Sequence, residues 1–255
     1  LSVSNGHFLE EKDVISVGRV QSPIVYLVVQ RENEIKNFKP VDHFSIHGFF
    51  TNSNGQSYVG NLELDPEWCN EDKLLTNKVK ANEIMNSLKG KNGEIISYSV
   101  TQKETKPPIG YTLDELQKEA GNKYGFSLQE VLDLAQSLYE KHKLTSYPRT
   151  DSGYMPQSQF KDAPTIINTI KSNMSGDAYD DMVSLTNTKI KADIWNDKKV
   201  SAHHAIIPVN TSFNISKLSD AELKIYDLIC KRYLMQFLGN YKYESTKIVT
   251  AIDDY

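Results

Sequence analysis

Cysteine is almost missing from this chain: 255 residues contain two, Cys69 and Cys230. They stand far apart, with no CxxC pair and no Cys/His spacing. That argues against a disulfide framework and a zinc site, and it fits a reducing compartment. Long apolar runs are missing too. No stretch approaches the roughly 20 residues of a membrane span, so no membrane partner is expected. The opening LSVSNGHFLEEKD lacks a charged-then-apolar leader, which points to a cytoplasmic protein without an export signal. Leu1 in place of Met suggests an excised fragment. There is no internal repeat, no low-complexity tract and no excess of positive charge. A net charge of −4 argues mildly against a surface coated in phosphate contacts.

The distribution of charge qualifies the sum. Segment 138–150 (LYEKHKLTSYPRT) sets Lys141, Lys143 and Arg149 against Glu140 alone, with His142 beside them, while acid gathers at 177–181 (DAYDD). A local basic site on an acidic body is therefore compatible with the total. With 39% hydrophobic and 24% charged residues the chain is ordinary for a globular protein, long enough for a sizeable core and for two domains as readily as one.

Ser22 and Pro23 form a cap-and-first-turn pair, and Ile24, Leu27, Val28, Arg31 and Ile35 recur at helical spacing, predicting a helix over 22–37. Two β-prone runs around TNSNGQS predict a hairpin within 43–64. A helix near 78–89 and a strand at EIISYSVTQKET follow, and Pro107-Pro108 marks a boundary. From Thr112 the period becomes helical. Thr112/Glu115, Ser127/Glu130 and Ser219/Glu222 each place a hydroxyl three residues before a glutamate, the capping-box spacing. The second box opens a helix with Leu128, Val131, Leu132, Ala135, Leu138 and Tyr139 on one face. The third opens one with Leu223, Tyr226, Ile229, Tyr233 and Phe237. After Gly239, YKYESTKIVTAI returns to β character.

Three stretches can carry chemistry. In TSYPRTDSGY, Tyr147 is bracketed by polar and helix-breaking residues. A tyrosine oxygen with its free pKa near 10 is a poor nucleophile and needs nearby positive charge or a base. Arg149 supplies a fork of donors for a phosphate oxygen, and Pro148 biases Tyr147 toward extended backbone. The alternative is equally physical: Tyr147 is one of 14 tyrosines, and Arg149 with Asp151 makes a simple turn salt bridge. In SAHHAIIPV, His203 and His204 are adjacent, a poor chelating pair; one is a proton carrier or phosphate donor, or else a satisfied core histidine. In SVGRVQSP, Gly18 permits close approach while Arg19 and Gln21 precede a helix start. That is an anion site, or a glycine turn with a solvated arginine.

Taken in order, SVGRVQSPIVYLVVQRENEI, PPIGYTLDELQKEAGNKYGFS, AQSLYEKHKLTSYPRTDSGYMP and AHHAIIP closely resemble the type IA DNA topoisomerases. The HHAIIP wording resembles their topoisomerase III branch, and LSDAELKIYDLICKRYL with YKYESTKIV extends the likeness over nearly the whole chain. The resemblance implies an isomerase of bacterial type. Tyr147 would attack a single-stranded DNA phosphodiester and become linked to the 5′ phosphate. Arg149 would position that phosphate, and His203 would assist near the cleavage site. Ser16, Arg19, Gln21, Asp151 and His204 would hold DNA. Strand passage through the gap would relax or decatenate DNA without ATP.

The fold implied is α+β, a fragment of a multidomain toroid with a β arch and a mostly α-helical domain bearing the tyrosine. Residues 1–39 would belong to the single-strand DNA-binding domain, 40–111 and 240–255 to the arch, and 112–239 to the helical domain. The family's Mg²⁺ belongs to a Toprim domain for which this chain offers no candidate, so no metal site is expected here. Single-stranded DNA and the family's Toprim and C-terminal regions are the implied partners. The fragment alone is expected not to cleave. Val209 departs from the threonine usual after that proline, which weakens any role for a hydroxyl there. Two alternatives stand beside this reading: a non-catalytic single-stranded-DNA-binding module in which Tyr147 stacks on a base, and a recombinase-like phosphoryl-transfer enzyme. The latter calls for several dispersed arginines that this order of motifs does not offer.

Overall fold

A computed structural model describes residues 18–255. They form two compact units. One takes the chain up to Tyr98 together with Lys247–Tyr255, and the other is Ser99–Thr246. Both cuts fall within the strands β3 (Glu94–Thr105) and β4 (Tyr241–Ala251), which pair with each other.

The first unit opens with α1 (Gln21–Lys36). The helix begins one residue before the Ser22 expected to cap it, with Val20 at the N-cap and no side-chain cap bond. Pro23 falls in the first turn, where its missing N–H costs nothing because such N–H groups lack helical partners. Ile24, Leu27, Val28 and Ile35 are exposed, and α1 buries no residue. The predicted hairpin is present as β1 (His47–Thr51) and β2 (Ser57–Asn61), antiparallel, with Phe49 opposite Val59 and Thr51 opposite Ser57. Asn52 makes the turn: its side-chain oxygen accepts from the N–H groups of Asn54 and Gln56. Phe50 stacks on Tyr58, whose hydroxyl meets Thr250 Oγ1 at 2.7 Å. The helix α2 (Lys78–Leu88) is capped by Asn77 and buries Ala81 and Ile84.

The second unit is a helical body. Its helices are α3 (Leu113–Tyr124), α4 (Leu128–Glu140), α5 (Ala163–Asn173), α6 (Asp177–Ser184) and α7 (Asp220–Met235). Two of the three capping boxes close reciprocally, at Ser127/Glu130 and Ser219/Glu222. The third is half made: Thr112 accepts from the Glu115 N–H and donates its hydroxyl to Asp114, but the Glu115 carboxylate does not accept from the Thr112 N–H. The core is centred on α7, where Ile225, Tyr226, Ile229, Tyr233 and Leu234 are buried against Val131, Ala135 and Leu138 of α4 and Ile166, Ile167 and Ile170 of α5. Leu128, placed on the apolar face of α4 by its spacing, is exposed at the first turn. Burial pushes the Cys230 thiol above its usual range, so this cysteine packs rather than reacts. Among the described residues no helix is long and apolar enough to cross a membrane.

One polar cluster lies inside this body. Glu222 Oε2 accepts from the Ser219 N–H and hydroxyl, and Oε1 accepts from Ser137 Oγ at 2.6 Å and faces His142 Nε2 at 3.1 Å. Burial by itself would raise the carboxyl. The bonds from Ser137, Ser219 and His142 outweigh it and hold Glu222 at about 2, below the ordinary 4.5. A depressed carboxylate stabilises the fold above its unfolded pKa and loses that contribution as pH falls. In urea unfolding at stepped pH, Glu222→Gln is expected to be less stable than the parent by about 2 kcal/mol at neutrality. The gap should close as pH drops from 4.5 to about 2. Parallel profiles across that window would show that Glu222 is not the group responsible.

Candidate active site

Tyr147 is delivered by the way α4 ends. The N–H groups of Lys141 and His142 both reach the Ser137 carbonyl, and Leu144 N–H reaches Leu138 O at 2.9 Å. Between them Lys143 takes a left-handed conformation, φ 55°, that turns the chain away from the helix axis. The released segment then pairs antiparallel with the chain after the two histidines. Val209 N–H donates to Leu144 O, Thr145 lies opposite Pro208, and Ser146 N–H donates to Ile207 O.

Two hydroxyls flanking Tyr147 tighten that pairing. Ser146 Oγ donates to Ala205 O and accepts from Ile207 N–H, both at 2.9 Å. Thr150 Oγ1 donates to His203 O at 3.2 Å and accepts from Ser152 N–H. Pinned on both sides, the Tyr147 ring rests against the His203 ring with centroids 4.6 Å apart. Tyr139, in the last turn of α4, meets Tyr147 edge-on at 5.6 Å. Tyr147 is half-buried and His203 exposed, so the pair is anchored on one side and open on the other.

Arg149 is exposed, and its Nη2 donates to Gln136 Oε1 at 3.2 Å; Gln136 in turn donates to Glu140. Asp151 makes no turn salt bridge with it, and instead accepts from Ser201 Oγ at 2.6 Å. Among the described residues no carboxylate pairs with Arg149. His204 is half-buried and turned inward; its Nδ1 lies 2.8 Å from Ala205 O, and since a carbonyl only accepts, Nδ1 carries the proton. Tyr147, Arg149, Asp151, His203 and His204 are thus gathered on one pair of loops. Arg19 and Gln21 lie in the other unit, exposed at the start of α1. Ser16 lies outside the described residues. Among the described residues no three His, Cys, Asp or Glu side chains converge as metal donors.

The spacing did not announce Ser146, Thr150, Gln136 or the packing role of the motif glycines. Gly110 and Gly153 lie against each other beneath the site. A Cβ on Gly153 would meet Gly110 O at 2.7 Å, and one on Gly110 would meet Ala205 Cβ at 2.7 Å. Arg232 of α7 holds the same layer, stacking over Tyr111 at 4.1 Å and donating to Ile109 O.

A sequence model described as DNA topoisomerase matches residues 2–255. DNA topoisomerase 3 of Vibrio cholerae is 37% identical over 248 residues, covering 94% of this chain and 38% of that protein. DNA topoisomerase 3 of Bacillus subtilis is 34% identical over 247 residues, covering 93% and 32%. Full-length topoisomerase I of Thermotoga maritima superposes with a TM-score of 0.64 at 26% identity, over 95% of this chain and 37% of its own. The chain therefore spans 32–38% of the length of these relatives.

The geometry sets two opposite expectations for stability. Thr145 Oγ1 is buried with no hydrogen-bond partner, so Thr145→Val removes an unsatisfied hydroxyl at constant shape. It should stabilise the chain by about 1 kcal/mol. Gly153→Ala forces a methyl onto backbone and should destabilise it by about 2 kcal/mol. Thermal unfolding of both variants checks the signs. A less stable Thr145→Val would mean that the hydroxyl has a partner, and an unchanged Gly153→Ala that the two loops are not in contact.

Proposed function

Because the chain belongs to the type IA DNA topoisomerase family, we propose that Tyr147 is the nucleophile of a reversible single-strand DNA cleavage. The Tyr147 oxygen attacks a phosphodiester phosphorus. A bond forms from that oxygen to the 5′ phosphate, and the bond from phosphorus to the 3′ oxygen breaks. Tyrosine gives up one proton and the departing 3′ oxygen takes up one, leaving a free 3′ hydroxyl. Attack of that hydroxyl on the phosphotyrosine restores the strand. One phosphoester is exchanged for another, so ATP is not required, and passage of a second strand through the gap relaxes or decatenates DNA.

The observation that carries this reading is the open face formed by Tyr147 and His203, with an arginine two residues along that, among the described residues, pairs with no carboxylate. Arg149 would engage the scissile phosphate and stabilise the charge that builds on it. His203 would exchange a proton or donate to a phosphate oxygen beside the tyrosine. Asp151, His204, Arg19, Gln21 and Ser16 are proposed as DNA contacts. Residues 112–239 would be the tyrosine-bearing helical domain, 40–111 and 240–255 the arch, and 1–39 part of the single-strand-binding domain. Mg²⁺ would be held by the family's Toprim domain and supply charge neutralisation at the phosphate. With no donor set for it among the described residues, the chain by itself is expected to cleave little DNA.

The test is a chimera in which this chain replaces the matching stretch of the Vibrio cholerae relative. It is mixed with Mg²⁺ and end-labelled single-stranded oligonucleotide, then denatured. A covalent adduct is expected, absent in Tyr147→Phe and lowered about 100-fold in Arg149→Ala and about 10-fold or more in His203→Ala. A folded chimera that binds the oligonucleotide yet forms no adduct would favour the non-catalytic binding module.

A further inference from the structure

The buried cluster around Glu222 stands at the base of the loop that carries Tyr147, and none of its members touches the open face. His142 is 8% exposed and Glu222 7%. The His142 ring is held by Glu222 Oε1 at 3.1 Å and by the edge of Phe213, with centroids 5.2 Å apart. Both oxygens of Glu222 are occupied, by Ser137 and His142 on one side and by the Ser219 cap on the other. The carboxylate thus clamps the last turn of α4 to the first turn of α7. The residue that follows His142 is Lys143, a lysine forced to φ 55°. L-residues adopt that conformation only where their surroundings over-determine it. Leu144, next in line, is fixed by its N–H to Leu138 O and by Val209 N–H.

We propose that His142 and Glu222 are positioning residues: by anchoring the chain just before the strained turn at Lys143, they set where Tyr147 meets His203. The inference rests on the nucleophile reading for its consequence in catalysis, but its structural content is independent of that reading. With His142 released, the left-handed turn loses the anchor on its N-terminal side and relaxes. The segment from Lys143 to Tyr147 then shifts against the segment from His203 to Val209. The geometry of attack degrades while Arg19, Gln21 and Asp151, proposed DNA contacts outside both segments, stay in place, so the loss falls on the rate at saturation far more than on binding.

Two readouts separate this inference from the reading beneath it. In the 255-residue chain, NMR signals of the Tyr147 ring are assigned by their absence in Tyr147→Phe. In His142→Ala, the Tyr147–His203 ring proximity is expected to vanish and the ring shifts to move toward free tyrosine, with cooperative unfolding retained. In the chimera with Mg²⁺ and labelled oligonucleotide, His142→Ala is expected to slow adduct formation at saturation by about 10-fold, with half-saturation unchanged. His142→Gln keeps a donor near Nε2 and should restore the rate to within about 2-fold. A folded His142→Ala that keeps the two rings together and the parental rate overturns the proposal. If His142→Ala does not fold, Ser137→Ala removes only one donor to Glu222. It should loosen the ring pair in part, and an unchanged ring pair there counts equally against the proposal. If the rings part in His142→Ala while no protein, the parent included, forms an adduct, the positioning inference is upheld and the nucleophile reading sinks.

Discussion

The short antiparallel pairing of residues 144–146 with 207–209 is the constraint on which the candidate site depends. No secondary structure of any length is involved. Val209 and Ser146 donate one backbone bond each, and the Ser146 hydroxyl adds two more, to Ala205 O and from Ile207 N–H. Each such bond contributes roughly 1 kcal/mol net, and more is at stake when it is buried, since its loss strands a polar group. Thr150 repeats the device on the far side of Tyr147, toward His203 O. A tyrosine and a histidine more than fifty residues apart are brought to ring contact by hydroxyls beside the tyrosine, and neither ring has to carry the cost of its own placement.

The helical body supplies the reference frame for that pairing. α7 lies at its centre, and the same helix carries Glu222 at its first turn and Arg232 near its last. Glu222 holds the end of α4, while Arg232 holds the chain at Ile109 and Tyr111. From Tyr111 the bonding continues, because Ile206 N–H donates to its carbonyl, and Gly110 and Gly153 close the layer without side chains. The two loops of the site are thus each tied to α7 by one charged residue, one at either end. Burial of two charges is costly unless every donor and acceptor is used, and here both are saturated or stacked.

Local structure was legible where one short-range signal dominated. Ser caps and helical spacing gave α2, α4 and α7 to within a residue or two, and the polar turn at 51–57 gave the hairpin, whose strands fill 47–61 of the expected 43–64. Misreadings fell where two local partners competed. Thr112 has both Asp114 and Glu115 within reach: its hydroxyl donates to Asp114 and accepts from the Glu115 N–H, but the Glu115 carboxylate does not return to the Thr112 N–H. At α1 the Ser22-Pro23 pair promised a cap, yet the helix starts at Gln21. The site was not legible from spacing, because its contacts are long-range. Arg149 had an apparent partner in Asp151, but Gln136 and Ser201 take the two groups in opposite directions. Residue chemistry raised Tyr147, Arg149 and His203 as candidates, each beside a plain structural reading, and motif likeness tipped the weight toward function. That likeness was silent on Ser146, Thr150 and the Glu222 cluster, whose parts look in sequence like ordinary caps and turns.

The choice of a neutral partner for Arg149 bears on the chemistry. A guanidinium locked to a carboxylate would have to give up a charge-assisted bond, worth up to about 3 kcal/mol, before it could serve a phosphate. One hydrogen-bonded to an amide oxygen gives up less and keeps its full charge. Gln136 is itself oriented by Glu140, so the arginine is held in place by a chain of two bonds while the acid stays one residue removed. In a chain of net charge −4 this arrangement keeps one strong positive group beside Tyr147. Local placement of charge, rather than its total, is what the proposed role of Tyr147 and Arg149 requires of an acidic chain.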